Sequence, residues 1–280
     1  MVNVWRRNWT KAARQYSQAD AVVVSVGKSG RTWLRVFLHS YFCRVAGREF
    51  TLKHRTLAGT GVPRVIFTHD LWGHVCARSL TYWLLGKHLI PARESGTKPI
   101  LLLVRDPRDV IVSLFFHMTK RSRRYSGDLS QIIRNPKFGI NTIVDVMNAW
   151  LEEWSRRSNF KVLRYEDCRK NTEANFRDVL AFLGVRAIDE AVFAHSIQFS
   201  SFENMKTLEA ARQFNAKILS AGDVKDSESY KTRRGIVGGF KDYLGPEEIL
   251  YLDQAMSRLD KRFGYGQERS GGARDLVLDR

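Results

Sequence analysis

The chain has 280 residues, of which 44% are hydrophobic, so it can bury a large core. Lys and Arg outnumber Asp and Glu by 46 to 29, and the net charge of +17 favours anionic partners such as nucleotides, acidic glycans and lipid headgroups. No apolar run approaches the roughly 18 residues of a membrane span, the N-terminus lacks a signal-peptide core, and three scattered cysteines indicate a reduced, cytosolic chain without a disulfide framework or zinc site.

A strand, a glycine-bearing turn and a helix follow one another near the N-terminus. Residues 21–24 are apolar and β-branched, which predicts a buried strand, and a helical pattern covers residues 31–46. Glycine lets backbone N–H groups approach an oxyanion, and a helix N-terminus attracts one. Lys28 adds a point charge, while Ser29 and Thr32 add hydroxyl donors. This stretch therefore predicts an anion site.

The loop is not a Walker A loop of an ATPase. That motif requires a second glycine five residues before Gly27, where the chain has Val22 inside the strand. On the residues of this loop alone, a glycine turn with a solvated lysine stays open as an alternative.

The rest of the chain alternates strands and helices. Strands are predicted at 21–25, 65–68, 100–104 and 161–165, and helices at 31–46, 77–86, 107–121, 140–154, 176–183, 202–208 and 252–259. This order predicts a single α/β domain over 1–280, with a central parallel sheet flanked by helices, P-loop NTPase- or kinase-like, and with its ligand site beyond the carboxyl ends of the strands. Residues 1–18 are interpreted as a helical extension, 215–245 as a long loop and 264–280 as a flexible tail.

An arginine and a serine follow the third predicted strand. Arg105 ends that strand, Pro107 suits the first turn of a helix, and Ser113 lies two turns further on. The guanidinium of Arg105 could form a fork with a phosphate, or it could pair with Asp106 or Asp109 as a helix cap.

Five stretches, in order from residue 26 to residue 241, resemble the PAPS-dependent sulfotransferases of the cytosolic type. The family's Pro-Lys-Ser-Gly-Thr-Thr-Trp loop corresponds to residues 27–33, where Gly27 replaces the Pro and Arg31 a Thr. Arg105 and Ser113 keep the family's spacing of eight. Residues 163–167, 200–206 and 232–241 resemble the Tyr-Glu-Asp, Thr-Ser-Phe-x-x-Met-Lys and Arg-Lys-Gly-x-x-Gly-Asp-Trp-Lys stretches.

The resemblance implies a role for each matching position. His69 would be the catalytic base, with Lys28 and Ser113 as further catalytic residues. Residues implied to bind PAPS are Lys28, Ser29, Gly30, Arg31, Thr32, Trp33, Arg105, Ser113, Tyr165, Ser200, Phe202, Arg233, Arg234 and Gly235. No metal is implied. Two departures stand out: Phe67 replaces the lysine that precedes Thr-His in the family, and of the family's dimer motif only Lys241 survives.

Two other classes of function stay open. A P-loop nucleotide or small-molecule kinase would need a Mg²⁺-holding carboxylate, for which Asp70 and Asp106 are the candidates, and a nucleotide- or glycan-binding module would need no catalytic residue. The implied acceptor is a small molecule, lipid or glycan, which could be anionic or amphipathic. Nucleic acid is disfavoured, because no binding-module signature occurs. The basic run 120–124 suits either a solvated helix end or a docking patch for an acidic acceptor or a membrane surface. The protein is expected to be cytoplasmic, with a peripheral membrane contact left open, and the oligomeric state is left undetermined.

Overall fold

A four-stranded parallel sheet lies at the centre of the fold. The computed structural model describes residues 15–53, 57–69, 96–211 and 218–265. The strands are Ala21–Ser25 (β1), Val65–Thr68 (β2), Ile100–Val104 (β3) and Phe160–Arg164 (β4), in the order β2-β1-β3-β4. Strand β2 pairs with one edge of β1, and β3 pairs with the other edge. The direction of strand addition therefore reverses between β1 and β3, which is the switch point of the sheet. Ligand crevices of α/β proteins form at such points.

Helices cover both faces of the sheet. The helices of the described residues are Arg31–Val45 (α1), Pro107–Phe116 (α2), Leu129–Ile133 (α3), Ile140–Trp154 (α4), Tyr165–Lys170 (α5), Thr172–Phe182 (α6), Glu190–Phe199 (α7), Phe202–Ala210 (α8) and Pro246–Met256 (α9). Side chains of β1 and β3 alternate between two cores, one packed with α2, α4 and α9 and the other with α1, α6 and α7. Both strands are buried along their whole length, as expected for parallel strands covered on both faces.

Local signals explain where helix α2 begins. Pro107 occupies its first turn, and the Asp106 side chain caps it by accepting a 2.9 Å hydrogen bond from the Arg108 N–H. At its C-terminal end the helix does not stop but continues into a π-helical turn over His117–Arg121. That turn brings His117 and Arg121 to the lining of a cavity, while Lys120 stays exposed.

The sheet and its class confirm the α/β prediction, although several element bounds differ from the predicted ones. Strand β4 ends one residue early, because Tyr165 begins helix α5. Leu259 lies beyond the end of α9. The predicted helix 77–86 lies outside the described residues. The long loop predicted over 215–245 is irregular in its described part, apart from 3₁₀ turns at Ser227–Ser229 and Gly239–Asp242.

The two terminal predictions fall largely on undescribed residues. Of the proposed tail, only Gly264 and Tyr265 are described, and Tyr265 is buried with its hydroxyl donating to Glu166 Oε2. Within the described part of the chain, no helix combines the length and the apolar character that crossing a bilayer requires.

Candidate active site

A cavity of about 390 Å³ opens at the carboxyl ends of β1, β2 and β3. It brings together most of the residues predicted from the sequence. These are Lys28, Gly30, Arg31, Thr32, Trp33, His69, Arg105, Ser113, Tyr165, Phe202, Arg233, Arg234 and Gly235. Two predicted residues do not line it. The Ser29 hydroxyl is buried beneath the loop, and the Ser200 hydroxyl donates to the Ser196 carbonyl oxygen at 2.8 Å inside helix α7.

The loop between β1 and α1 needs its second glycine. Gly30 has a φ of 90°, and a Cβ added there would lie 2.7 Å from a ring carbon of Tyr165. Only glycine combines that left-handed backbone with so close an aromatic neighbour. Lys28 also has a positive φ, of 74°, which is uncommon outside glycine. Strain of this kind clusters at ligand sites, where the surrounding structure holds it in place.

Lys28 is a half-buried cation at the cavity, within a group of other cations. Burial, and then the charges of Arg121 and Arg105, lower the pKa of its ammonium group to about 7. Among the described residues no carboxylate makes an ion pair with it. The Ser29 hydroxyl next to it is buried without a hydrogen-bond partner in the described structure. An anion bound in the cavity at this loop would neutralise the Lys28 charge.

His69 is positioned as a neutral imidazole. Its Nδ1 lies 2.6 Å from the Ser25 carbonyl oxygen. A carbonyl oxygen can only accept, so Nδ1 carries the proton and Nε2 holds the free lone pair. Burial, and then the charge of Arg31, lower the pKa of the ring to about 3, which keeps it unprotonated at neutral pH. The arrangement suits a group that accepts a proton at Nε2.

Arg105 makes one of the two ion pairs that its sequence context allowed, and its binding of a phosphate stays a prediction. Its guanidinium lines the cavity, donates to Asp109 Oδ2 at 3.2 Å and lies over the Tyr165 ring, 4.6 Å from the centroid. Asp109 in turn accepts from the backbone N–H groups of Gly238 and Phe240, at 2.9 and 3.0 Å. Helix α2 is thereby tied to the glycine-rich segment. The alternative partner, Asp106, pairs instead with Arg108.

The segment 231–235 is anchored by a buried carboxylate. Glu209 accepts hydrogen bonds from the Lys231 N–H at 2.6 Å, the Thr232 N–H at 2.9 Å and the Thr232 hydroxyl at 2.7 Å. Arg233 then reaches the cavity beneath Phe116, with 4.1 Å between its guanidinium carbon and that ring's centroid, and pairs with Glu228.

Aromatic rings form one wall of the cavity. Trp33 meets Tyr165 edge to face, with ring centroids 5.8 Å apart. Gly235, with a φ of 64°, lies so close to the Phe202 ring that an added Cβ would be 2.9 Å from it. Exposed faces of such rings can stack on a flat heterocycle.

Sequence reasoning missed several residues that line the same cavity. They are Asp109, His117, Arg121, Arg169, Met205, Lys231 and Thr232. For three of them the spacing was an available signal. Asp109, His117 and Arg121 lie four or eight residues from Ser113 and so share its helix face. Nothing in the local sequence could have placed Lys231 beside Lys28. Among the described residues no cluster of His, Cys, Asp and Glu could hold a metal ion.

Comparisons with known proteins agree with this geometry. The family model described as the sulfotransferase domain matches residues 18–264. The chain is 22% identical to cytosolic sulfotransferase 14 of Arabidopsis thaliana, over 88% of this chain and 76% of the relative. It is 24% identical to a 3-alpha-hydroxysteroid sulfotransferase of Cavia porcellus, over 88% of this chain and 84% of the relative.

Solved structures share the fold. A mouse sulfotransferase complexed with PAP aligns with a TM-score of 0.56 at 18% identity, covering 92% of this chain and 91% of that one. Retinol dehydratase in complex with androsterone and the inactive cofactor PAP aligns with a TM-score of 0.58 at 19% identity, covering 88% and 83%.

Proposed function

The chain belongs to the sulfotransferase domain family and is an enzyme of that class, and we propose that it moves a sulfuryl group from PAPS to a hydroxyl or amine of an acceptor. The observation that carries the proposal is the convergence of three strand ends on one cavity. Lys28 follows β1, His69 follows β2 and Arg105 follows β3.

The residues around the cavity fit PAPS. The Lys28 ammonium and the N–H groups at the start of α1 suit its 5′-phosphosulfate, and a role for Ser29 stays a prediction. Arg105, Ser113 and Arg233 suit its 3′-phosphate, and the rings of Trp33 and Tyr165 suit adenine. PAPS supplies an activated sulfuryl group whose leaving group is a phosphate oxygen.

In the proposed reaction, the chain's own residues supply a base and a cation that stabilises negative charge. His69 Nε2 would accept the proton of the acceptor hydroxyl. The acceptor oxygen then forms a bond to sulfur while the bond between sulfur and the 5′-phosphate oxygen breaks, in line and in one step. Lys28 would stabilise the negative charge on the sulfuryl group and on the leaving oxygen. Binding of the anionic co-substrate raises the lowered pKa values of both residues, because it offsets the surrounding cations.

Phe67 stands where the family has a lysine, so this chain lacks a positive charge at that position. The guanidinium carbon of Arg35 lies 4.3 Å from the centroid of the Phe67 ring, so a cation from α1 lies over this position. Burial lowers the pKa of Arg35 to about 10, which leaves it charged at neutral pH. We assign the larger part of the charge stabilisation to Lys28.

Sulfuryl transfer from sulfur-35-labelled PAPS, with EDTA present, tests the proposal. The enzyme should release PAP and label a hydroxyl acceptor, and Lys28→Met should abolish labelling, whereas the exposed Lys225→Met should not. Phosphoryl transfer from Mg·ATP without labelling from PAPS would favour the kinase alternative. The structure gives that alternative little support, because the Asp106 carboxylate already caps α2 and pairs with Arg108, while Asp70 lies outside the described residues.

The names of the relatives bear on the class of acceptor and on the cellular location. One is named for a hydroxysteroid and others are named cytosolic. We propose a small-molecule acceptor and a cytoplasmic location for this chain. A lipid or glycan acceptor and a peripheral membrane contact through residues 120–124 stay predictions.

A further inference from the structure

Two adjacent arginines of the cavity wall meet at one phenol oxygen. Arg233 and Arg234 both line the cavity, and each donates a hydrogen bond from Nη1 to the hydroxyl oxygen of Tyr243, the second at 3.0 Å. Tyr243 itself is not among the described residues that line the cavity. Any effect of its hydroxyl on a bound ligand would therefore pass through the two guanidinium groups.

Tyr243 follows a turn that is anchored in the core. The turn is the 3₁₀ turn Gly239–Asp242, in which the Phe240 ring is buried and the Phe240 N–H donates to Asp109 Oδ1 at 3.0 Å. The Tyr243 N–H donates back to the Phe240 carbonyl oxygen at 3.1 Å. The Tyr243 ring meets the Phe116 ring edge to face, with centroids 5.0 Å apart. These contacts fix the position of the phenol oxygen without a ligand.

Arg233 is held at one end of its guanidinium group. The Phe116 ring packs on it, 4.1 Å from the guanidinium carbon, and Nη1 donates both to Glu228 Oε2, at 2.9 Å, and to Tyr243. Among the residues that the structure describes, none accepts a hydrogen bond from its Nε or Nη2. Those two nitrogens form an edge that can pair with two oxygens of one phosphate.

Arg234 is held by the end of the same turn. Its Nη1 donates to Tyr243, and its Nη2 pairs with Asp242 Oδ2 at 2.7 Å. Arg233 and Arg234 carry like charges next to each other, which repel. The shared phenol oxygen offsets this repulsion because it accepts a hydrogen bond from each group. Without that oxygen, a bound phosphate would itself have to bring the two side chains together.

We propose that Tyr243 is a positioning residue for the co-substrate, whose hydroxyl oxygen holds the guanidinium groups of Arg233 and Arg234 together where they receive the 3′-phosphate. The inference rests on the proposed use of PAPS. It adds a residue that lies outside the stretch 232–241, on which the family resemblance depends. Side chains that are ordered in advance raise affinity, because the ligand does not have to immobilise them.

Removal of one oxygen atom tests the inference. Tyr243→Phe keeps the ring, which packs on Phe116 and lies 5.1 and 5.5 Å from the two guanidinium carbons. The measurement is the calorimetric affinity for adenosine 3′,5′-bisphosphate and for AMP, without magnesium. The bisphosphate should bind about tenfold more weakly and AMP within about twofold of the wild type. General loosening of the site would weaken both ligands alike, since AMP shares the adenine and the 5′-phosphate.

Tyr251→Phe is the matched control. The Tyr251 hydroxyl accepts a hydrogen bond from Asn141 Nδ2 at 3.1 Å, and the guanidinium carbon of Arg134 lies 4.8 Å from the centroid of its ring. This variant therefore removes the same oxygen from another tyrosine that contacts an arginine, at the contact between α9 and α4. The ratio of the two affinities should stay at its wild-type value.

A double-mutant cycle tests whether the hydroxyl acts through the arginines. When Arg233→Gln and Arg234→Gln are already present, adding Tyr243→Phe should change the ratio of the two affinities by less than about twofold. A tenfold effect that persisted in this background would mean that the hydroxyl contacts the phosphate itself. That result would overturn the positioning role.

The same measurements separate this inference from the proposed function. If the wild type distinguishes the bisphosphate from AMP and Tyr243→Phe keeps the wild-type ratio, the inference is wrong while the use of PAPS stands. If the wild type binds both nucleotides equally, the use of PAPS fails first and the inference fails with it. A tenfold smaller ratio in Tyr243→Phe, with an unchanged ratio in Tyr251→Phe, is the result that we expect.

Discussion

His69 Nδ1 donates a 2.6 Å hydrogen bond to the carbonyl oxygen of Ser25, the last residue of the neighbouring strand. The bond joins the ends of β1 and β2 and fixes the ring's tautomer. It therefore sets both the position of Nε2 and its state as an acceptor before any ligand binds. Preorganisation of this kind would spare the enzyme the cost of orienting the proposed base during the reaction.

Loss of the His69 ring should affect transfer and not cofactor binding. We expect His69→Ala to lower kcat by about 10²- to 10⁴-fold while the calorimetric affinity for PAP stays within about threefold. His69→Asn is the matched control for structure, because an amide N–H can keep the bond to Ser25 without supplying a base. Near-normal turnover in either variant would remove His69 from the role of base.

Lys28 should take up a proton when PAP binds. With a pKa of about 7 in the free enzyme, its ammonium group is largely deprotonated at pH 8, and an adjacent phosphate raises that pKa. Binding at pH 8 should then consume about one proton, and affinity should fall as the pH rises from about 7 to 9.

Calorimetry in buffers of different ionisation enthalpy measures that uptake directly. Lys28→Met should reduce it, and the exposed Lys225→Met should not. A binding enthalpy that is the same in every buffer would show that Lys28 is already charged in the free enzyme.

Gly30 should tolerate substitution less well than other left-handed glycines. Gly30→Ala places a methyl group 2.7 Å from a Tyr165 ring carbon at a φ of 90°. The backbone strain costs about 1–2 kcal/mol and the overlap roughly 1–3 kcal/mol more. Gly59→Ala shares the positive φ, of 77°, but meets nothing within 4 Å, so only the first cost applies. Denaturant unfolding of both variants checks the difference, and equal losses of stability would contradict the close contact.

Glu209 should hold the segment 231–235 in its ordered conformation. Glu209→Gln replaces one acceptor oxygen with a donor that faces the N–H donors of Lys231 and Thr232. Leaving buried donors unpaired costs about 1–3 kcal/mol, so amide exchange over 231–235 should accelerate and PAP should bind more weakly. Glu203→Gln, on the exposed face of the same helix, is the control. Unchanged exchange in Glu209→Gln would show that other contacts hold the segment.

The sheet and the outline of the site were predictable because their signals are local. Residues 21–24 and 100–104 are continuous apolar runs, and the polar residues that end parallel strands must share one edge of the sheet. The family resemblance added roles that spacing alone could not assign. Arg105, for example, was equally compatible with a helix-capping role until the structure placed its guanidinium both on Asp109 and in the cavity.

What escaped prediction depends on long-range contacts. Glu209 is an ordinary polar residue of an amphipathic helix until its carboxylate meets Lys231 and Thr232, more than twenty residues later. The basic run that begins at Lys120 suits a solvated helix end or a docking patch, whereas a π-helical turn brings Arg121 to the cavity lining and Lys120 stays exposed. Periodicity does not anticipate a change of helix type inside one element.

The 3′-phosphate of the nucleotide offers the most direct test of the central claim, that this chain uses PAPS. The measurement is the calorimetric affinity for adenosine 3′,5′-bisphosphate and for AMP, without magnesium, in the wild type and in Arg105→Ala. Each charge-assisted contact with Arg105, Ser113 and Arg233 is worth about 1.5–3 kcal/mol, so the wild type should bind the bisphosphate at least about 100-fold more tightly. Arg105→Ala should reduce this ratio between the two affinities. Equal affinities in the wild type would contradict the use of PAPS and bring the kinase alternative forward.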